Sequence, residues 1–303
     1  AMALGQAFGT FSVKKGERSV LVGNDNRTTS PALKQALIEG LLSTGCDVVD
    51  LGTVVTPMFY YARLRYDINA GIMVTASHNP AEFNGFKVTF NHGTIYGEKI
   101  QELRIAMEKG GFIVSEKGEL SHRNIVDDYI DMICKLIRLD KPLRVGVDCG
   151  NGTASLFAEK LLKKLGVETY PIYCDSDPSF PNHFPDPVRP ENLQDLKALV
   201  LKEGLDLGIG FDGDGDRIGV VDDQGNVIYG DLLMILFWRE ILPHYPGTTT
   251  IVEVKCSEAL VDEIKKLGGH PLFYKTGHSL IKAKMREVGA VFTGEMSGHM
   301  FFA

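Results

Sequence analysis

Three stretches of the chain repeat one alternation of apolar and polar positions. They are SVLVGNDNRTTSPALKQALIEGLLSTGCDVVDLG from Ser19, LRVGVDCGNGTASLFAEKLLKKLGVETYPIY from Leu143, and TIVEVKCSEALVDEIKKLGGHPLFYKTGH from Thr250. Each opens on a short run rich in Val and Ile, which predicts a buried strand. A turn bearing Ser, Asn or Gly follows and suits a helix cap. Apolar residues then recur three and four apart for about four turns, the pattern of an amphipathic helix. Gly45, Gly166 and Gly268 stand where each helix should end, a position at which a left-handed backbone costs glycine little. A second strand closes each unit.

Strand, helix, strand three times over predicts three related α/β domains with mixed sheets sandwiched by helices. The stretch from Lys117 to Leu139 starts as a polar turn and becomes helical, which puts one limit near His122. The turn DDQGNVIYGD, Asp222 to Asp231, marks the next. The expected domains are 1–122, 123–226 and 227–303. A Pro-rich stretch from Asp175 to Leu193 reads as a long loop in the second domain, and loops of that length usually carry function or move.

Composition narrows the classes. With 44% hydrophobic and 23% charged residues the chain reads as an ordinary globular protein. A net charge of −7 argues against nucleic-acid partners but not against small anions, because a pocket can be locally positive. The five cysteines are dispersed, form no CxxC pair and are odd in number, which fits reduced thiols and a cytoplasmic location. The longest aliphatic–aromatic run, Leu232 to Trp238, is far short of the roughly 20 residues that span a bilayer. The N-terminal AMALGQAFGTF lacks the basic region and apolar core of a signal peptide. Neither a membrane nor an obligate protein partner is expected.

Four segments carry chemistry. In AGIMVTASHNPAEFNGFKV a strand runs into Ser77, His78, Asn79 and Pro80, which puts a serine where α/β proteins keep reactive groups. Serine needs activation, and His78 and Lys87 could supply a proton acceptor or positive charge. The setting is not a GxSxG elbow, so a serine hydrolase is discounted; a plain polar turn is the bland alternative. In LDLGIGFDGDGDRIGVVDDQG another strand runs into Asp212, Asp214 and Asp216, separated by glycines that let them converge. Three close carboxylates repel unless a cation balances them, and hard oxygen ligands select Mg²⁺, Mn²⁺ or Ca²⁺. An EF-hand is rejected, because Arg217 stands at its glycine position and Asp223 at its final glutamate. In YKTGHSLIKAKM, Lys275, Gly277 and His278 stand between strand and helix, where backbone N–H groups suit an anion; an ordinary turn would look the same. In FTGEMSGHMFF, Glu295, Ser297 and His299 alternate and would share one face if extended, able to bind vicinal sugar hydroxyls; an irregular loop is the alternative.

Together TASHNP (Thr75–Pro80), DGDGDR (Asp212–Arg217), KTGHS (Lys275–Ser279) and GEMSGH (Gly294–His299) resemble the α-D-phosphohexomutase family in order and spacing across nearly the whole chain, most of all its bacterial phosphomannomutase/phosphoglucomutase subgroup. The resemblance implies a hexose 1-phosphate/6-phosphate mutase acting on mannose or glucose phosphates through a phosphoserine and a bisphosphate intermediate. It implies that Ser77 carries the phosphoryl group and that Asp212, Asp214 and Asp216 hold Mg²⁺ with a Ser77 oxygen. Lys87 would neutralise charge on the transferring phosphate, and Arg217 would lie close by. Glu295 and Ser297 would bind the sugar, Lys275, Gly277 and His278 would face the substrate, and His299 would shuttle protons. Such a site stabilises a metaphosphate-like transition state mainly by positioning and charge.

The chain departs from the family in lacking a YDIRG-like segment near its start and the RxSNTEP-like segment of a fourth domain. An incomplete third domain, no fourth, and little turnover by this chain alone are therefore expected. Phosphoglucosamine mutase is the near rival, although Met296 stands where that subgroup tends to have Gln. A sugar-phosphate-binding module without catalysis is the rival from another class.

Overall fold

A computed structural model describes residues 1–91 and 93–303. The first unit contains α1 (Met2–Lys14), β1 (Ser19–Asn24), α2 (Ser30–Leu42), β2 (Asp47–Thr53), α3 (Thr56–Arg65), β3 (Ala70–Val74), β4 (Phe86–Phe90), β5 (Gly93–Thr94), α4 (Glu98–Lys109) and β6 (Leu120–His122). Its sheet runs β5-β4-β3-β1-β2-β6, parallel from β3 to β6 and antiparallel at β3–β4–β5. Val20, Val22, Ile72 and Val74 face α1 and α2 on one side, while Leu21, Met73 and Phe59 of α3 pack on the other. Alternate strand residues thus serve two cores, as a sheet covered on both faces requires. The segment read as a polar turn is in fact β6, recruited by backbone pairing to β2 although its side chains are exposed.

The second unit contains α5 (Val126–Leu136), β7 (Arg144–Asp148), α6 (Ala158–Lys164), β8 (Glu168–Ile172), α7 (Gln194–Glu203), β9 (Leu207–Phe211), β10 (Ile218–Asp222) and β11 (Val227–Ile228), with sheet order β11-β10-β9-β7-β8. That order copies the first sheet without β6. The third contains α8 (Gly230–Ile241), β12 (Thr249–Glu253), α9 (Glu258–Lys266), β13 (His270–Tyr274), α10 (His278–Val288), β14 (Phe292–Gly294) and β15 (Met300–Phe302). Here β12 pairs with β13 in parallel and β14 with β15 antiparallel, and the Thr293 hydroxyl donates to the Ile251 carbonyl, holding β14 beside β12.

All three predicted βαβ repeats are present as β1–α2–β2, β7–α6–β8 and β12–α9–β13. Gly166 and Gly268 follow the C-caps with φ near +80°, and Gly45 does so two residues after its cap. The α6 helix is shorter than its periodicity predicts. Thr153–Leu156 forms a 3₁₀ turn instead, because the Thr153 N–H donates to the Gly213 carbonyl and its hydroxyl binds Asn26.

Candidate active site

The repeat places the three chemistry-bearing loops at equivalent positions: 75–85 joins β3 to β4, 212–217 joins β9 to β10, and 295–299 joins β14 to β15. All three converge. Ser77 takes φ +53°, uncommon for a residue with a side chain, and its hydroxyl donates to Asp212 Oδ2 at 2.7 Å with His78 Nδ1 3.3 Å away. Lys87, on the facing strand β4, puts Nζ 2.6 Å from Asp214 Oδ2 and 2.5 Å from Asp216 Oδ2. Gly213 lies against the Ser77 loop so closely that a Cβ there would fall 2.3 Å from the Ser77 carbonyl oxygen.

Ligand oxygens of Asp212, Asp214 and Asp216 lie within 4.8 Å of one another. Asp214 is fully buried and its Oδ1 has no protein partner, whereas Oδ2 accepts from the Thr56 and Thr75 hydroxyls and from Lys87. A buried carboxylate oxygen left over beside two more hard oxygen donors fits a divalent cation. Burial, and then Asp214 and Asp216, push the Asp212 carboxyl well up. Burial also opposes charge on Lys87 and Asp216, but Asp214 and then Asp216 hold the ammonium pKa well above its ordinary value, and Lys87 and then His299 hold the Asp216 carboxyl well below its own. Arg217 stands 3.9 Å from both Asp212 and Asp186.

The third domain closes the ring. The backbone at 295–299 is not extended. It is a hairpin bend in which the Glu295 N–H donates to the His299 carbonyl, so the three polar side chains meet by turning back on themselves and not by alternating along a strand. His299 Nδ1 lies 2.8 Å from Glu295 Oε2 and 3.1 Å from Ser297 Oγ, and Nε2 lies 3.1 Å from Asp216 Oδ1. Burial alone would lower this imidazole's pKa; Asp216 and then Glu295 outweigh it and lift it to about 9. His278, with its ring centroid 5.7 Å from that of His299, is driven the other way, to about 4, by burial and then by Lys282 and Lys87. Burial and then Arg217 likewise lower His78. The Gly277 N–H donates to Glu295 Oε1. Lys275 is exposed and makes no hydrogen bond or ion pair with the other described site residues. A cleft of about 700 Å³ opens from Asp216, His278 and His299 between α3 and α10.

Residues outside the predicted set hold this ring. Thr56 donates through both backbone and side chain to Asp214, crossing from the first domain to the second. Glu253 accepts from the Met296 N–H and the Thr276 hydroxyl, fixing the third loop. Arg27 donates to carbonyls of the serine loop. The available signal was position: Asp25–Arg27 follows the C-terminal end of β1, the same end of the sheet that carries Ser77.

Comparison with known proteins agrees domain by domain. Family models described as phosphoglucomutase/phosphomannomutase α/β/α domains I, II and III match residues 1–112, 127–225 and 229–303. A phosphomannomutase/phosphoglucomutase of Pseudomonas aeruginosa is 46% identical over 299 residues, 99% of this chain and 64% of that protein. A phosphoglucomutase of Neisseria gonorrhoeae is 42% identical over 303 residues, the whole of this chain and 66% of that protein. The chain thus spans about two thirds of the length of these relatives. The crystal structure of a phosphoglucomutase/phosphomannomutase family protein from Burkholderia thailandensis superposes with a TM-score of 0.96 at 43% identity, covering 99% of this chain and 67% of that one. Matched over all three domains, with loops that meet as described, the chain belongs to the phosphoglucomutase/phosphomannomutase family, the α-D-phosphohexomutases.

Proposed function

We propose that the parent protein interconverts hexose 1-phosphate and hexose 6-phosphate, of mannose or glucose, through a phosphoserine at Ser77 and a hexose bisphosphate. The observation that carries this is the meeting of one serine hydroxyl, three carboxylates, Lys87 and His299 from three domains at one point. Asp212, Asp214, Asp216 and a Ser77 oxygen would hold Mg²⁺, which when bound supplies positive charge to the transferring phosphoryl oxygens. Lys87 adds a fixed ammonium beside the same oxygens and Arg217 a guanidinium. The Ser77 hydroxyl proton points at Asp212, with the neutral imidazole of His78 adjacent. His299, protonated at pH 7 and held between Glu295 and Asp216, carries the proton exchanged with the sugar hydroxyl. Glu295, Ser297 and the Lys275–His278 segment contact the sugar phosphate.

We propose three domains, 1–122, 123–226 and 227–303, with one adjustment: β11, Val227–Ile228, pairs with β10 and so moves the second limit past Ile228. Among the described residues no helix is long and apolar enough to cross a membrane, and the cysteines are free; we place the protein in the cytoplasm with hexose phosphates as its partners.

The test is intact mass after incubation with glucose 1,6-bisphosphate and Mg²⁺. The native chain should gain one phosphoryl group and Ser77→Ala none. Equal gain by the variant would place the acceptor elsewhere. Turnover of mannose, glucose and glucosamine phosphates by the parent protein would decide the sugar.

A further inference from the structure

Arg27 is a large, charged side chain that is 1% exposed, and the proposed chemistry gives it no part. Burying a guanidinium is costly unless its charge is paired and its N–H groups are satisfied. Among the described residues its charge is paired with Asp25, Nε lying 3.2 Å from Oδ2 as an ion pair and not as a hydrogen bond. Asp25 is itself anchored, accepting from the Ser30 hydroxyl and the Arg27 N–H, while its own N–H donates to the Val74 carbonyl at the end of β3.

The rest of the guanidinium serves a single loop. Nη2 donates to the Ser77 carbonyl at 2.8 Å and the Asn79 carbonyl at 2.6 Å; Nη1 donates to the Pro80 carbonyl at 2.6 Å and the Phe83 carbonyl at 3.0 Å. Four backbone carbonyls are thus turned inward onto one planar fork, a geometry that a lysine cannot copy. With its carbonyl held in this way, Ser77 keeps its left-handed backbone and donates its N–H to Thr75 Oγ1, and its hydroxyl is left facing Asp212. The same Ser77 carbonyl is the atom against which Gly213 of the aspartate loop is packed. Phe180, from the long loop of the second domain, lies over the guanidinium face at 5.2 Å.

We infer that Arg27 is a positioning residue for phosphoryl transfer: it winds the 77–83 loop so that the Ser77 hydroxyl and the aspartate loop meet at the reacting distance. The inference rests on the phosphoserine reading. It predicts that Arg27→Lys keeps the charge opposite Asp25 and the fold, yet loosens the loop. The rate of Ser77 phosphorylation at saturating glucose 1,6-bisphosphate should fall about 100-fold, the cost of a misplacement near 1 Å, with the half-saturating concentration nearly unchanged. Arg27→Gln should fall further. Amide exchange at residues 77–83 should quicken by about tenfold or more in Arg27→Lys while exchange in β7 stays native.

Native rates in both variants, or native exchange in the loop, would overturn the inference. Global unfolding of Arg27→Lys, seen as loss of the far-ultraviolet dichroism, would overturn it too, since the residue would then hold the domain and not the loop. Absence of phosphoryl uptake by the native chain would overturn the phosphoserine reading instead, and the exchange comparison would still decide the clamp.

Discussion

Replacing Lys87 by Met should destabilise the chain strongly in the absence of divalent metal, and added Mg²⁺ should restore much of the loss. The ammonium sits 2.6 Å from Asp214 and 2.5 Å from Asp216, with Lys87 15%, Asp214 0% and Asp216 13% exposed. At an effective dielectric near 20, each contact contributes roughly 6 kcal/mol of attraction before the cost of stripping water from the charges. Methionine keeps the stem's volume but leaves converging carboxylates unbalanced, and removing one partner of a buried pair costs about 3–5 kcal/mol net. At about 2–4 °C per kcal/mol this is a fall in Tm of roughly 6–20 °C in EDTA. A cation that binds the folded site contributes about 2.7 kcal/mol at a hundred times its Kd. With its internal competitor gone, the variant should gain more from Mg²⁺ than the native chain does. Scanning calorimetry of both proteins, with EDTA and with Mg²⁺, provides the four Tm values needed. A variant that melts with the native protein in EDTA, or gains no more than it from Mg²⁺, would refute the reasoning.

Thr56→Val removes a cross-domain hydroxyl donated to a fully buried carboxylate and should cost about 1–3 kcal/mol in urea denaturation; Thr89→Val, which lies within the first sheet, should leave Mg²⁺ affinity unchanged by calorimetry. Gly213→Ala puts a methyl 2.3 Å from the Ser77 carbonyl oxygen, between two backbones that cannot yield cheaply, so Mg²⁺ titration should show affinity lower by about tenfold or more. For His183, burial lowers the imidazole pKa, but its hydrogen bond and ion pair with Asp148 outweigh this and raise it above 6.5. The sign follows: a raised histidine stabilises fully below its unfolded pKa, and that contribution is lost as pH rises through the folded value. His183→Gln should abolish that part of the slope in denaturation series between about pH 5.5 and 8.5; an unchanged slope would assign it to other groups.

Much of the fold was legible because the repeats state it three times: an apolar run, a cap, a helical period and a glycine. Where the periodicity misled, a tertiary contact outweighed it. Thr153 gives up helix geometry to bind Gly213 and Asn26, and Leu120–His122 becomes a strand because β2 offers an open edge. Ser77 and the alternating aspartates were readable because each segment follows the end of a strand and because three close carboxylates repel unless a cation balances them. Arg27 was not, because its four carbonyl partners lie 50 to 56 residues away and carbonyls have no sequence signature. Glu253 was hidden in the same way: a strand-terminal carboxylate reads as solvent-facing until the third loop folds back onto it.

The three loops are each the bend of a hairpin closed by strands of their own domain, β3–β4, β9–β10 and β14–β15. Each can therefore take its shape as soon as its own strands have left the ribosome, since domains generally fold as units during synthesis. The serine loop is complete once β4 has emerged, carrying Lys87 with no carboxylate yet beside it. The aspartates arrive next as a repelling cluster, and that ammonium then draws the second domain onto the first. The 295–299 loop comes last, to a surface on which Asp216 Oδ1 meets His299. The order in which charges are matched in the site thus follows the order in which the chain is made.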